Sequence, residues 1–261
     1  MKNVWIGMFV LFVLLGGACS LSGKDESVSI LESENGNTLT VCEYSKIKKD
    51  EKQMNLSELV DVFKIVYLDN DDNAFFKFSS LAISENYIGI IQQNGPFLLF
   101  NHNGDYLCNV GNMGAGPGEY ARRPYDAIID EENQKIYLAT FAFSNKILVY
   151  DLSGNFINEI RTEQQLSKPK ISLDEDEGLS IVHLPLKMGK TDPVLAIYLN
   201  EKGEQQNYPA EEKFLVTDFN QDLFAEHNTT DFSFYNTIND TLYHYVAEKN
   251  RIYPKFTIDF G

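Results

Sequence analysis

From Tyr87 onward the chain is a succession of short apolar runs broken by polar turns. Tyr87 to Ile91, Phe97 to Phe100, Ile136 to Ala139 and Ile147 to Tyr150 are rich in β-branched and aromatic side chains. Runs this short read as strands rather than helices. The turns repeat as well. FNHNGDY at 100–106 returns as YDLSGNF at 150–156 and, more weakly, as YLNEKGE at 198–204, so Gly104, Gly154 and Gly203 stand 50 and then 49 residues apart. Each glycine falls in a polar turn between apolar runs, where a positive φ is needed and glycine adopts it without a clash.

One period holds four runs. In the second copy they are Tyr125 to Ile129, Lys135 to Thr140, Lys146 to Asp151 and Phe156 to Ile160, separated by turn signals at 130–133, 144–145 and 153–154. A third copy covers Ile171 to Tyr208. A poorer fourth covers Phe232 to Phe260, with Thr241 to Tyr245 and Tyr253 to Ile258 as its clearest strands. Four strands in a period near 50 residues is the arithmetic of a β-propeller blade, and a β-sandwich does not explain the recurrence. The expected fold is all-β: a β-propeller of four-stranded antiparallel blades, about four of them present, with the ring incomplete.

The N-terminus follows a different pattern. Lys2 precedes an apolar run from Val4 to Leu15, then Gly16, Gly17 and Ala18, then Cys19. This is the layout of a secretory signal. LGGAC at 15–19 resembles the bacterial lipobox, which implies cleavage before Cys19 and acylation of that residue as a lipid anchor. Lys24, Asp25 and Glu26 resemble the export tag that places Bacteroidota lipoproteins on the outer face of the outer membrane. Residues 20–54 are polar and charged, with two short apolar runs, and read as a spacer with a little structure. The expected organisation is a lipoprotein signal peptide over 1–18, an acidic and polar tether over 19–54 and the propeller over 55–261.

Charge narrows the partners. The chain carries 38 acidic and 22 basic side chains, a net charge of -16. Nucleic acid and an anionic bilayer surface both require clustered Lys and Arg, so neither is expected as the main partner. Three cysteines are too few for a disulfide scaffold. Beyond Cys19, Cys42 and Cys108 are open to either a bridge or two separate thiols.

Residues 109–160 carry a glycine-rich loop ending in GEY at 118–120, then Pro124, IYLA at 136–139, NKILVYD at 145–151 and GNF at 154–156. This stretch resembles an NHL-type propeller repeat, departing from it at 139–141. From Leu56 the chain resembles the six-bladed β-propeller lipoproteins of Bacteroidota, and LVDVFKIVYL at 59–68 looks like that family's first strand, which closes the ring against the last blade. Six blades need roughly 270 residues. Residues 56 to 261 number 206, room for four blades and a piece. A short relative with an open ring and a truncated reading frame are both open, and truncation is the expectation.

Candidate chemistry is sparse. Gly111 to Gly118 lacks the Lys-Ser/Thr ending and following helix of a phosphate loop, and reads as a blade-to-blade connection that lets backbones approach closely near the propeller axis. Arg122 and Arg123 stand out in an acidic chain. With Glu119 and Tyr120 they form the candidate ligand-binding set for an anionic or sugar ligand, against an alternative in which the arginines pair with carboxylates between blades. Asp69, Asp71 and Asn73 have calcium-loop spacing without its glycine or its glutamate. Asp240-Thr241-Leu242 resembles an O-glycan acceptor of Bacteroidota envelope proteins, with Thr241 as the site. The four histidines show no metal-ligand spacing, and no nucleophile elbow is present.

These features lead to no catalytic residue, no metal and no cofactor. The expected role is an outer-membrane lipoprotein, surface-exposed rather than periplasmic. It touches the membrane through its N-terminal lipid and offers a binding platform for a glycan, peptide or partner protein. The alternatives are a metal-dependent propeller lyase or hydrolase, as NHL-like propellers can be, and a truncated fragment without independent function.

Overall fold

The computed structural model describes residues 9–10, 27–32, 37–47, 54–70, 72–174, 177–187, 193–225 and 232–261. Cys19 and the Lys24, Asp25, Glu26 segment lie outside these residues. The described chain is nearly all β and forms a β-propeller of four-stranded antiparallel sheets. The first sheet is Phe78–Ile83, Tyr87–Gln92, Phe97–Asn101 and Tyr106–Val110. The second is Pro124–Asp130, Lys135–Thr140, Ala142–Asp151 and Phe156–Ser167. The third is Lys170–Leu173, Leu179–Val182, Val194–Leu199 and Gln205–Pro209. The fourth is Leu223–Ala225, Phe232–Asn236, Thr241–Val246 and Arg251–Asp259. Each sheet pairs its strands in chain order.

The sheets stack face to face. First strands lie side by side: Pro124–Asp130 packs against Phe78–Ile83 and Lys170–Leu173, and the latter against Leu223–Ala225. Between the first two sheets Phe97, Leu99, Ile136, Leu138 and Tyr150 are buried together. Tyr137, Val149, Ile171, Ile181 and Ile197 fill the next layer, and Phe214, Phe234, Tyr243 and Tyr245 the last. Second strands are covered on both faces, which is why they read as continuous apolar runs and not as alternation.

The repeating turn is built identically three times. Asn101, Asp151 and Asn200 each accept two backbone N–H groups on Oδ1: from Asn103 and Asp105, from Ser153 and Asn155, and from Lys202 and Glu204. The glycine φ values are +99, +83 and +76° for Gly104, Gly154 and Gly203. The turns also fasten each sheet to the preceding chain. A Cβ on Gly154 would lie 2.2 Å from the Asn109 carbonyl oxygen, in the outer strand of the first sheet. In the fourth sheet the place of glycine is taken by Asn250 at φ +44°, whose Nδ2 donates to Asn207 O at 3.1 Å in the third sheet's outer strand.

Two findings differ from the pattern in the sequence. Segment 59–68 resembles a ring-closing strand, but only Ile65–Val66 is extended and it pairs with Phe9–Val10. Asp69 N donates to Gly104 O at 2.8 Å, so this segment lies against the first sheet's turn as Asn109 lies against the second's. The last sheet is instead extended by Thr38–Glu43, which pairs parallel to Arg251–Asp259, and by Val28–Glu32 beyond it. The tether's two apolar runs are therefore a hairpin on the outer edge of the fourth sheet. In the second sheet, Ala142–Asp151 begins four residues earlier than expected because register shifts near Ser144 keep it paired. Phe143 sits in this irregularity at φ +55° and is thrown outward. A bulge re-aims a side chain in this way.

Candidate functional site

Sheet-to-sheet connections and the turns between second and third strands gather at one end of the molecule. Four aromatic rings meet there from two separate parts of the chain. Phe141 lies 6.0 Å from Phe219 and Phe143 5.3 Å from Phe219, while Tyr125 lies 5.6 Å from Phe141, all centroid to centroid. Phe141 and Phe143 come from the second sheet, and Phe219 from the connection between the third and fourth. Four cations rest on these rings. Arg122 Cζ is 5.5 Å from the Phe143 centroid and Arg123 Cζ 4.8 Å from that of Phe141. Lys168 Nζ is 5.8 Å from Phe141 and Lys170 Nζ 4.9 Å from Tyr125. These distances are within cation–π range.

The lysines are fully engaged. Lys168, with 6% of its side chain exposed, donates to Phe219 O, Gln221 O and Asp222 Oδ1 at 2.8, 2.6 and 2.6 Å. Its φ of +47° is left-handed, a strained setting held by these bonds. Lys170 pairs with the buried Asp126 at 3.1 Å, whose other oxygen accepts from Ile171 N at 2.8 Å. Tyr125 donates to Asp222 at 3.3 Å, and burial, reinforced by that carboxylate, pushes its phenol well above the usual range.

The arginines are not engaged in this way. Among the described residues neither guanidinium pairs with a carboxylate. They border a cavity of about 440 Å³ whose other walls include Gln93, Asn94, Gly95, Met113 and Phe141. Among the described residues no acidic side chain lines it, in a chain that has 38.

The structure separates the four residues grouped by sequence. Tyr120 is buried: its hydroxyl donates to Val110 O at 3.0 Å and accepts from Phe97 N at 2.9 Å. Glu119 turns back on the glycine loop, accepting from Gly116 N at 2.7 Å and filling the space where Gly114 would carry a Cβ. Only Arg122 and Arg123 face the cavity. The glycine loop is indeed a connection between blades, yet it packs on the second sheet's outer strands and not at the inner ones. Tyr150 donates to Gly118 O at 2.9 Å, and Phe156 occupies the space beside Gly118. Phe141 and Phe143 reach the arginines from the next turn of the same sheet, so adjacency in the sequence does not reveal them.

Thr241 is half-buried, its hydroxyl 2.8 Å from that of Thr257. Asp69 accepts from Tyr106 N at 2.9 Å, and Asp71 lies outside the described residues. Cys42 in the added hairpin and Cys108 in the first sheet are free thiols. Among the described residues no group of three or more His, Cys, Asp or Glu could hold a metal ion. His183 is buried, its ring nitrogens have no partner among the described residues, and desolvation holds its pKa down to about 4. A second cleft of about 470 Å³ opens between the second and third sheets beside Gly203, floored by Tyr137, Val149, Leu179 and Leu199 and bridged by the Lys135–Glu177 ion pair at 2.7 Å.

A family model described as a domain of unknown function, DUF4934, matches residues 39–261. No curated protein matches the chain. A protein from Bacteroides fragilis NCTC 9343 described as exported has a similar structure, with a TM-score of 0.58 and 18% identity over 75% of this chain and 55% of its own. A member of the DUF4221 family from Bacteroides vulgatus gives 0.49 and 12% over 74% of this chain and 61% of its own. Virginiamycin B lyase from Staphylococcus aureus gives 0.45 and 14% over 92% and 77%. The chain thus spans little more than half the length of the two Bacteroides proteins. At such identities the likeness concerns the fold alone.

Proposed function

The chain belongs to the DUF4934 family of domains of unknown function, and from that premise we propose that it is an exported β-propeller binding platform. In this reading Cys19 carries a lipid anchor in the outer membrane, and Lys24, Asp25 and Glu26 direct the chain to the cell surface. Four blades in an open ring present the loop-bearing end to a glycan, peptide or partner protein. The Bacteroides fragilis neighbour described as exported supports an envelope location. One observation carries the binding role: two arginines held on aromatic rings beside a cavity that no described acidic side chain lines, with no described carboxylate to neutralise them. Such cations in a -16 chain are set to receive an anionic group.

The test is a glycan and peptide array probed with the full chain. We expect retained ligands whose binding is lost in the Arg122→Ala/Arg123→Ala double variant. A blank array, or a double variant that keeps every ligand, overturns the reading. Protease shaving of intact cells, with a periplasmic protein as control, tests the location: the chain is digested while the control survives.

A further inference from the structure

Resting on that reading, we propose that the cavity beside Arg122 and Arg123 recognises an acidic saccharide through the carboxylate of a uronate ring. Each wall supplies one part of that recognition. The guanidiniums present planar donor forks that match a carboxylate bidentately, which an ammonium does not. Both lysines nearby are consumed by Asp222 and Asp126, so among the described residues the arginines remain for the ligand. The side-chain amides of Gln93 and Asn94 are exposed in the turn between the first sheet's second and third strands, and amides can both donate to and accept from sugar hydroxyls. Phe141 and Met113 supply the apolar part of the wall, the Phe141 ring being held in place by Arg123, Lys168, Tyr125 and Phe219. The volume of about 440 Å³ falls in the range of small-ligand sites.

The wall composition also argues against other ligands. A cation finds no carboxylate among the described residues of the lining. An extended acidic peptide needs a row of pockets or a free strand edge for its backbone. The lining offers instead one short polar turn and one pair of forks.

The experiment is isothermal titration of the full chain in detergent micelles with digalacturonate. Its dimethyl ester and penta-glutamate are run as comparisons. Digalacturonate binds, and the ester binds about tenfold more weakly or worse, the effect of losing one charge-assisted pair. Arg122→Ala and Arg123→Ala each weaken binding by about the same factor, and near-UV circular dichroism stays that of the parent. Arg123→Lys fails to restore full binding, because a point charge does not replace the fork. Equal binding of acid and ester, or undiminished binding by both alanine variants, overturns the proposal. Binding of penta-glutamate without digalacturonate also overturns it and leaves the platform reading standing. Failure of all three probes together with a blank array removes both.

Discussion

Lys168 with Lys170, and Arg122 with Arg123, bring the same formal charge to one end of the molecule and use it in opposite ways. Lys168 is buried and Lys170 half-buried, and both spend their strong contacts inside the protein, one on Asp222 and two carbonyls, the other on Asp126. They tie the connection leading into the third sheet to its neighbours. The arginines lie at the surface on aromatic rings and pair with no described carboxylate. The difference teaches that formal charge and position in the chain do not separate a cation spent on the scaffold from one left without a described carboxylate. Burial and the reach of a carboxylate do.

The largest break in that comparison should come from the lysine side. Asp126→Ala leaves Lys170, 12% exposed, beside Tyr125 without its partner, and leaves the Ile171 N–H unpaired. Removing one member of a buried pair costs about 3–5 kcal/mol. Urea unfolding followed by tryptophan-independent far-UV circular dichroism should register that loss, and a change below about 1 kcal/mol would remove the structural role assigned to the pair.

His183 sharpens the same point, because it is buried with no described partner for its ring nitrogens. Its folded pKa is held down to about 4 by desolvation, against an ordinary 6.5. The unfolded chain therefore takes up the proton first as pH falls. The stability tied to the neutral imidazole is whole above pH 6.5 and is lost as pH drops toward 4, about 3 kcal/mol in total. Urea midpoints measured across that window should slope downward, and His183→Phe should flatten the slope.

Covered and uncovered turns give the next contrast. Gly154→Ala must bring a side chain into positive φ and against the Asn109 carbonyl, whereas Gly203→Ala meets nothing within 4 Å. The left-handed penalty is about 1–2 kcal/mol at both sites, and overpacking adds about 1–3 kcal/mol at Gly154 alone. Thermal melts of the two variants should separate accordingly, and equal midpoints would mean that the second and third sheets close over Gly203 in solution.

The smallest effect on stability belongs to the arginines. Arg122→Ala removes an exposed cation–π contact and no ion pair among the described residues, so its unfolding free energy should change by about 0.5–1 kcal/mol or less. A destabilisation as large as that of Asp126→Ala would turn Arg122 into part of the scaffold and remove it from the site.

Much of the fold was legible because the repeat is local. The Oδ1 of Asn101, Asp151 or Asn200 closes its turn within four residues, so the motif survives as a string. The fourth copy was obscured because Asn250 does the work of glycine: asparagine also reaches the left-handed region, and its amide adds a bond to the neighbouring sheet. The first strand of the fourth sheet, Leu223–Ala225, is three residues long, too short to stand out as a run. Within the candidate site, the arginines were visible as rare bases in an acidic chain. Glu119 and Tyr120 were grouped with them by adjacency, which does not imply a shared direction when the backbone turns between them.

By itself the sequence determined the 50-residue period, the four-strand unit, the apolar second strands and the acidic surface, since these follow from turn chemistry and the alternation of short-range pattern. Only the tertiary structure decided which cations were satisfied. Asp126 and Lys170 are 44 residues apart and Lys168 and Asp222 are 54 apart, distances close to one blade of chain. Such pairs form between sheets, after stacking has brought their loops together. The aromatic cluster is completed the same way, Phe219 packing on Phe141 and Phe143 from a connection two sheets further along. A contact made across stacked sheets depends on their relative placement, and no local pattern of residues encodes it.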